Sequence, residues 1–413
     1  MSESRRRILM LVENFYPQDT RVRNEATLLV AAGYEVSVIA WRKPGQSSTE
    51  KIGGVNAYRM RPCELFSKTP AANAGPLGIV WLKAKSLLGY MAEYGIFTAG
   101  CLVLSVYIWL KDGFDVLHAH NPPDTLFLVA LPYKLLGKKF IFDHHDLCPE
   151  LYQSRYGAKG GFYSKLLRIF EAASLGLANV TIATNESYKQ IQIDRGGRDP
   201  KTVFVVRNGP DGSRMVPPAP SVRLRAMNKT ILCYVGALNP QDGVDYLLRS
   251  LRYLYHDLKR TDFYCVIMGN GDSLQDLRAL ARDLRLEACL ELTGYVSEEE
   301  LRFNLAAADI CVDPDPSSPL NDVSTWIKIM ESMAFSKPIV TFDLKETRFS
   351  AQKAALYVPP NDEKAFAAAI VKLMDDPALR KQMGDFGRER VERELQWSVV
   401  GQNLLRAYEN LAR

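Results

Sequence analysis

The 413-residue chain reads as an α/β protein built from two doubly wound domains in series. Three observations predict this. Apolar runs of strand length alternate with amphipathic helical stretches, the pattern of parallel sheets covered by helices. The alternation stops once, at Asn208-Gly-Pro-Asp-Gly-Ser213 and Val216-Pro-Pro-Ala-Pro220, where neither a helix nor a central strand can pass. The chain is also longer than a single hydrophobic core usually supports.

Before the break, strands are expected at Ile8–Val12, Glu35–Ala40, Val55–Arg59, Val116–His118, Phe140–Asp143, Val180–Ala183 and Val203–Val206, with helices such as Val22–Ala32 and Ser164–Leu177 between them. After it, strands are expected at Ile231–Val235, Tyr264–Met268, Leu290–Thr293, Ile310–Val312, Pro338–Phe342 and Ala355–Val358. Trp397 to Leu411 reads as one last amphipathic helix. The organisation expected is a first domain over residues 1–207, a linker over 208–222, a second domain over 223–396, and a C-terminal helix over 397–413 packing back on the first domain. Two such domains imply a cleft, and ligands of doubly wound sheets bind beyond the carboxyl ends of the strands.

Composition narrows the class. The seven cysteines are scattered and form no Cys-x-x-Cys pair, so they are expected as reduced core residues of a cytosolic protein, not as a disulfide framework or a zinc site. Met1-Ser-Glu-Ser-Arg-Arg-Arg7 leads directly into a strand-length apolar run, which lacks the features of a secretory leader. Ile96 to Leu110 is apolar but shorter than the ~20 residues that span a bilayer, which points to a buried or interfacial helix. Charge is uneven: residues 1–206 carry 25 Lys+Arg against 18 Asp+Glu, and the remainder 27 against 29. A basic first half suits lipid headgroups or a lipid diphosphate. Nucleic acid is not expected, because no dense Lys/Arg stripe is interleaved with aromatics. The stretch from Leu77 through Tyr107, with Trp81, Lys83, Lys85, Tyr90, Tyr94 and nearby Trp109, reads either as a membrane-interfacial surface or as a long core helix pair. The location expected is cytoplasmic, peripheral on the inner face of a membrane.

The strongest chemical signal is Lys328-Ile-Met-Glu-Ser-Met-Ala-Phe-Ser-Lys-Pro-Ile-Val-Thr341. Ser324 or Thr325 can cap a helix here, whose N-terminal N–H groups would suit a diphosphate. Lys328 opposes the helix dipole, so a role other than helix stability is expected of it. Glu331 lies three residues on, on the same face, where an acceptor-only carboxylate could take two hydrogen bonds from ribose hydroxyls. A solvated ion pair between the two is the plain alternative.

Pro314–Arg348 resembles the donor-binding segment of GT-B glycosyltransferases, family 4 in particular, and the likeness runs along nearly the whole chain. It takes in Asp115-Val-Leu-His-Ala-His120, His144-His-Asp-Leu-Cys-Pro-Glu150, Val206-Arg-Asn-Gly-Pro-Asp211, Val235-Gly-Ala-Leu-Asn-Pro-Gln-Asp-Gly-Val244, Met268-Gly-Asn-Gly-Asp272 and Leu292-Thr-Gly-Tyr-Val296. The resemblance implies two Rossmann-like domains facing across a cleft, and a nucleotide-diphosphate sugar donor. Glu331 would bind the donor ribose, Tyr295 and Val296 would lie beside the base, and Gly236 would let the backbone approach the phosphates. Asn208 and Gly269 belong to matching donor-side elements. His145 would contact the donor sugar near the leaving group, with His144 the competing assignment. The implied reaction retains anomeric configuration, and it needs neither metal nor cofactor. The acceptor would be lipid-linked or a glycan, as in surface polysaccharide or glycolipid synthesis.

The chain departs from the family pattern in two places. Val323 stands where the family has the first Glu of Glu-x7-Glu, and Ala237 and Asp242 stand where it tends to place Arg and Lys for the diphosphate. Lys328, helped by the helix start at Ser324 and Thr325, is therefore expected to supply the missing phosphate charge. Asp313-Pro-Asp315 spells an Asp-x-Asp metal motif of a different fold, and a Pro-rich loop after a strand explains it more simply. His118 and His120 have no evident third ligand, so packing or an acceptor-side role is expected of them. Arg21 and Arg23 are either acceptor-side cations or surface arginines paired with Glu25 or Asp19. Two further readings compete: a nucleotide-sugar epimerase of the same architecture, and a catalytically dead nucleotide-sugar-binding scaffold. A nicotinamide enzyme is not expected, since no Gly-x-Gly-x-x-Gly follows the first strand.

Overall fold

Every strand expected from the sequence is present in the computed structural model, which describes residues 6–62, 76–156, 161–212 and 216–411. Cys63, residues 1–5, the linker residues 213–215 and the side chains of Trp81 and Lys83 lie outside the described residues. The chain divides into two compact units, one of Met1–Arg207 with Gly401–Arg413, the other of Asn208–Val400.

The first unit holds eight strands: β1 (Arg7–Phe15), β2 (Glu35–Trp41), β3 (Thr49–Ile52), β4 (Val55–Met60), β5 (Val116–His120), β6 (Lys139–His144), β7 (Val180–Ala183) and β8 (Val203–Val205). They lie in the order β3-β4-β2-β1-β5-β6-β7-β8, and all neighbours are parallel except β3 with β4. The antiparallel β3 is not among the expected strands. It is short, polar and mostly exposed, and it joins β4 through Gly53 and Gly54, whose positive φ values suit a tight hairpin. Leu9 and Leu11 of β1 pack with Leu117 of β5 and with Phe140 and Phe142 of β6 into the core of one sheet face.

The apolar stretch at Ile96 proves to be part of one helix, Pro76–Lys111, of 36 residues. Its Leu88–Lys111 portion is long and apolar enough to cross a membrane by length and composition. Counting only Ile96 to Leu110 underestimates it, because the polar residues before Ile96 interrupt the apolar run without interrupting the helix. The alternative of a helix pair is likewise replaced by a single helix.

The second unit holds β9 (Thr230–Val235), β10 (Phe263–Met268), β11 (Leu290–Gly294), β12 (Ile310–Asp313), β13 (Ile339–Phe342) and β14 (Ala355–Val358), all parallel, in the order β11-β10-β9-β12-β13-β14. Alternate residues of β9 serve opposite faces. Leu232 and Tyr234 join one core, while Ile231 and Cys233 join the other. The single C-terminal helix expected at Trp397 is two pieces, Trp397–Val400 and Gln402–Asn410, separated at Gly401. The second piece packs in the first unit, where Asn403 Nδ2 donates to Val205 O at 2.9 Å. The six described cysteines are buried and unbridged.

Candidate functional site

In the first unit the carboxyl ends of β5 and β6 gather a buried polar cluster. His118 and His120 lie two residues apart on β5, so both point to one face, and their rings stack with centroids 4.2 Å apart. Asp143 sits beside His120 in the parallel register of β6. Its Oδ2 lies 3.2 Å from His145 Nε2, 3.3 Å from His120 Nδ1 and 3.6 Å from His118 Nε2. His120 Nδ1 and His145 Nε2 are themselves 3.1 Å apart, and His118 Nδ1 meets the Tyr408 hydroxyl at 2.9 Å. Glu25 enters from the helix Thr20–Ala31, its Oε2 3.9 Å from His120 Nδ1 and 4.0 Å from His118 Nε2.

Burial and the neighbouring Asp143 push the Glu25 carboxyl well above its ordinary range, favouring its protonated form. Burial pulls His118 down, and burial with His118 beside it holds His120 at about 3, so both rings are neutral at physiological pH. For Asp143, burial opposes ionisation, but His145, His118 and His120 outweigh it and keep the carboxylate charged. The partners that the two β5 histidines lacked in the sequence are thus supplied by Glu25 and Asp143, whose ligand-type atoms all lie within 4.8 Å of those of the histidines. His120 is buried here, so it offers no exposed acceptor-side surface.

Alternation along β6 separates the two histidine candidates. His144, the last residue of the strand, faces opposite to Asp143 and lies 3.3 Å from Glu171 Oε1. His145 follows the strand and joins the cluster. Its loop is pinned by Asn121, whose Oδ1 accepts from His145 N at 2.6 Å and Asp146 N at 3.1 Å. Asn121 Nδ2 in turn donates to Asp124 Oδ1 at 2.8 Å and to Asp146 O at 2.7 Å. Burial raises the Asp124 carboxyl to about 6.

Arg21 and Arg23 take neither of their alternatives in full. Arg21 pairs with Asp19 at 3.2 Å, and the same Asp19 caps the helix by accepting from Arg21 N and Val22 N. Burial would raise Asp19, yet Arg21 outweighs it and holds the carboxyl well below its usual value. Arg23 donates to Pro17 O at 3.2 Å rather than to a carboxylate.

In the second unit the carboxyl ends of β9, β10 and β11 are drawn together by backbone bonds. Gly236 N donates to Met268 O at 3.1 Å, Gly269 N to Gly294 O at 3.0 Å, and Leu238 N to Asn270 O at 3.1 Å. The approach is so close that a Cβ on Gly269 would stand 1.8 Å from Gly236 O. Tyr295, just past β11, is 84% exposed, while Val296 packs against the core. Asn208 is half-buried at the start of the unit.

The helix after β12 runs over Ile327–Ala334 and begins at Trp326. Ser324 and Thr325 therefore do not cap it. Ser324 is buried and donates to Leu320 O at 2.7 Å, and Thr325 Oγ1 reaches Glu346 Oε2 at 3.4 Å. The preceding turn Asn321–Val323 and the extended Ser324 occupy the positions expected of the helix start.

Lys328 does not stand open to a phosphate. Its Nζ lies 2.8 Å from Asp313 Oδ1 and 2.8 Å from Asp315 Oδ2, between the rings of Tyr234 at 4.9 Å and Trp326 at 5.6 Å. Burial works against its charge, but Asp313 and Asp315 outweigh that and raise its pKa. Burial and Asp313 push Asp315 the other way, well above the usual carboxylate range. The Asp-x-Asp pair is thus explained by an internal cation. Asp242, found where the family tends to hold a phosphate cation, is buried and accepts from Asn239 N at 2.9 Å. Glu331 is half-buried, one turn along from Lys328.

Two parallel, Rossmann-like sheets with their chemistry at the carboxyl strand ends define the class, that of GT-B glycosyltransferases. The family model for glycosyltransferase family 4 matches residues 18–214, and that for glycosyl transferases group 1 matches residues 229–376. Together they take in most of the chain, which belongs to the family-4 type of GT-B glycosyltransferases. A phosphatidyl-myo-inositol mannosyltransferase of Mycobacterium leprae is 27% identical over 74% of this chain and 76% of its own. Sucrose-phosphate synthase from Thermosynechococcus elongatus shares the fold with a TM-score of 0.72, at 18% identity over 98% of this chain and 99% of its own. The HepE protein of Anabaena, solved in complex with UDP-glucose, has a TM-score of 0.64 at 15% identity, over 98% of this chain and 99% of its own.

Proposed function

We propose that this glycosyltransferase moves a sugar from a nucleotide-diphosphate donor to a lipid-linked acceptor, with retention of configuration and without a metal, in glycolipid or surface-polysaccharide synthesis at the inner face of a membrane. The observation that carries the choice of acceptor lies on the helix Pro76–Lys111. Its exposed positions between Leu88 and Leu110 are Leu88, Met91, Gly95, Ala99, Leu102, Val103, Val106, Tyr107 and Leu110, none of them charged. Leu110 is 75% exposed, and on the helix Phe127–Leu135 so is 81% of Leu135. A contiguous exposed apolar surface marks an interaction site, and the net basic first half adds attraction to anionic headgroups. The mannosyltransferase relative bears the name of a lipid acceptor, which agrees with this reading.

The donor is assigned to the carboxyl edge of the second sheet, where Gly236, Gly269, Tyr295, Val296 and Glu331 collect and where the UDP-glucose-bound neighbour shares the fold. His145 is the residue assigned to the donor sugar, and Glu331 to the ribose. Lys328 acts there by neutralising Asp313 and Asp315, which fixes the loop and the helix start. An epimerase is not favoured, because Asp313 and Asp315 are paired with Lys328 and Asp242 accepts from a backbone N–H. A dead scaffold would bind donor without turning it over. Incubation with UDP- and GDP-sugars, membrane lipid extract and EDTA tests the reading. A lipid product with the donor's anomeric configuration is expected, and donor binding without nucleoside diphosphate release, or release abolished by EDTA, would overturn it.

A further inference from the structure

Beneath the apolar helix face lies a cavity of about 320 Å³, within the first unit. That volume falls at the lower end of small-molecule pockets, roughly 300–1,000 Å³. Its walls include Met91, Tyr94 and Gly95 of the long helix, Leu151 just after the His145 loop, and Leu167 and Phe170 of the helix Phe162–Leu177. Met91 and Gly95 are also exposed members of the uncharged face, so the cavity opens onto the surface assigned to the membrane.

The lining also includes Pro123, Asp124, Thr125 and Cys148. This is the loop network that holds His145: Asn121 bonds Asp124 and Cys148 with its amide nitrogen, and His145 N with its amide oxygen. The cavity is therefore bordered both by the exposed apolar helix and by the loops at the carboxyl ends of β5 and β6. Its lining surface is predominantly apolar. Burial holds the Tyr94 hydroxyl neutral, well above its ordinary pKa, and Asp124 turns its Oδ1 to Asn121.

We propose that this cavity is the binding site for a single hydrocarbon chain of the lipid acceptor, which enters past Met91 and Gly95 and leaves the polar head at the strand ends beside His145. The inference rests on the lipid-acceptor reading and deepens it. Apolar burial supplies affinity, and the walls shared with the His145 loop supply position. Prenyl and acyl chains share the chemistry that the cavity selects.

Gly95 gives the test its handle, because it is exposed on the cavity lining and a Cβ there would meet nothing within 4 Å. The full-length protein is photolabelled in parallel with a diazirine-bearing farnesyl phosphate and a diazirine-bearing palmitate, and adducts are mapped by peptide mass spectrometry. Adducts at Met91, Tyr94, Leu151 or Leu167 are expected from at least one probe, and the probe that labels identifies the chain type. Gly95→Trp should lower that labelling roughly tenfold or more, with Gly95→Ala close to wild type and melting temperatures unchanged. Adducts confined to Val103, Leu110 and Leu135, labelling by neither probe, or labelling indifferent to Gly95→Trp would overturn the proposal. Nucleoside diphosphate release by the wild type is measured separately. Its absence would remove the transferase reading while leaving the labelling map to decide the cavity.

Discussion

The two strand-end regions solve opposite electrostatic problems. In the first unit, Glu25, Asp143 and three histidines meet in a buried cluster, in which Glu25 is pushed toward its protonated form, Asp143 stays charged, and the Arg21 cation acts on both carboxyls. In the second, Lys328 is a buried cation held by Asp313 and Asp315, the latter pushed well above the usual carboxylate range by burial and Asp313. A cluster of buried titratable groups responds to pH. A cation-balanced one is rigid, and breaking it leaves an uncompensated buried charge. The difference teaches that Lys328, at a departure from the family pattern, is engaged by two carboxylates of its own chain.

The sharpest way to break this comparison is Lys328→Met. Stranding Asp313 and Asp315 should cost about 3–5 kcal/mol of stability, read by chemical denaturation. Adding Asp313→Asn and Asp315→Asn should restore most of it. A stable single mutant that loses only donor affinity would return Lys328 to a phosphate role. Next in size, His145→Ala should lower turnover by roughly 10²–10³-fold with donor affinity nearly intact, if His145 contributes mainly in the transition state.

Asp124, in the Asn121 network that holds the His145 loop, gives a test by pH. Its carboxyl is raised to about 6 in the folded chain, against an unfolded value of ~3.9. The folded state therefore binds more protons between those values, and stability falls as pH rises through that window, then levels off above it. The change amounts to roughly 2–3 kcal/mol. Asp124→Asn should flatten that part of the stability-versus-pH curve, and an unchanged slope would contradict the assignment. The smallest effect expected is at Asp19, which caps the helix Thr20–Ala31 and pairs with Arg21. Asp19→Ala should cost about 1 kcal/mol by thermal unfolding.

Much of the fold was legible because both sheets are parallel and covered on both faces, which writes continuous apolar runs such as Ile231-Leu-Cys-Tyr-Val235 into the chain. β3 was missed because an exposed edge strand has no apolar signature. The site was legible where geometry is local. The glycines at the ends of β9 and β10 and the helix with Lys328 and Glu331 are of this kind. Partners brought from distant segments were not legible. Lys328 and Asp313 lie on separate elements, and nothing in their spacing states that the ammonium reaches back 2.8 Å to that carboxylate. Glu25 and Asp143 did leave a trace. Glu25 shares the buried helix face of Val22, Ala26 and Leu29, and Asp143 interrupts an apolar strand. A charged residue in either position implies a buried partner.

The central proposal is that the chain moves a sugar from a nucleotide-diphosphate donor to a membrane acceptor and that turnover depends on His145. Its most direct test is nucleoside diphosphate release by the purified chain from a panel of UDP- and GDP-sugars, with and without anionic vesicles carrying the lipid extract. The account predicts release that rises with the vesicles and is lost in His145→Ala. Release indifferent to both the vesicles and His145 would contradict it.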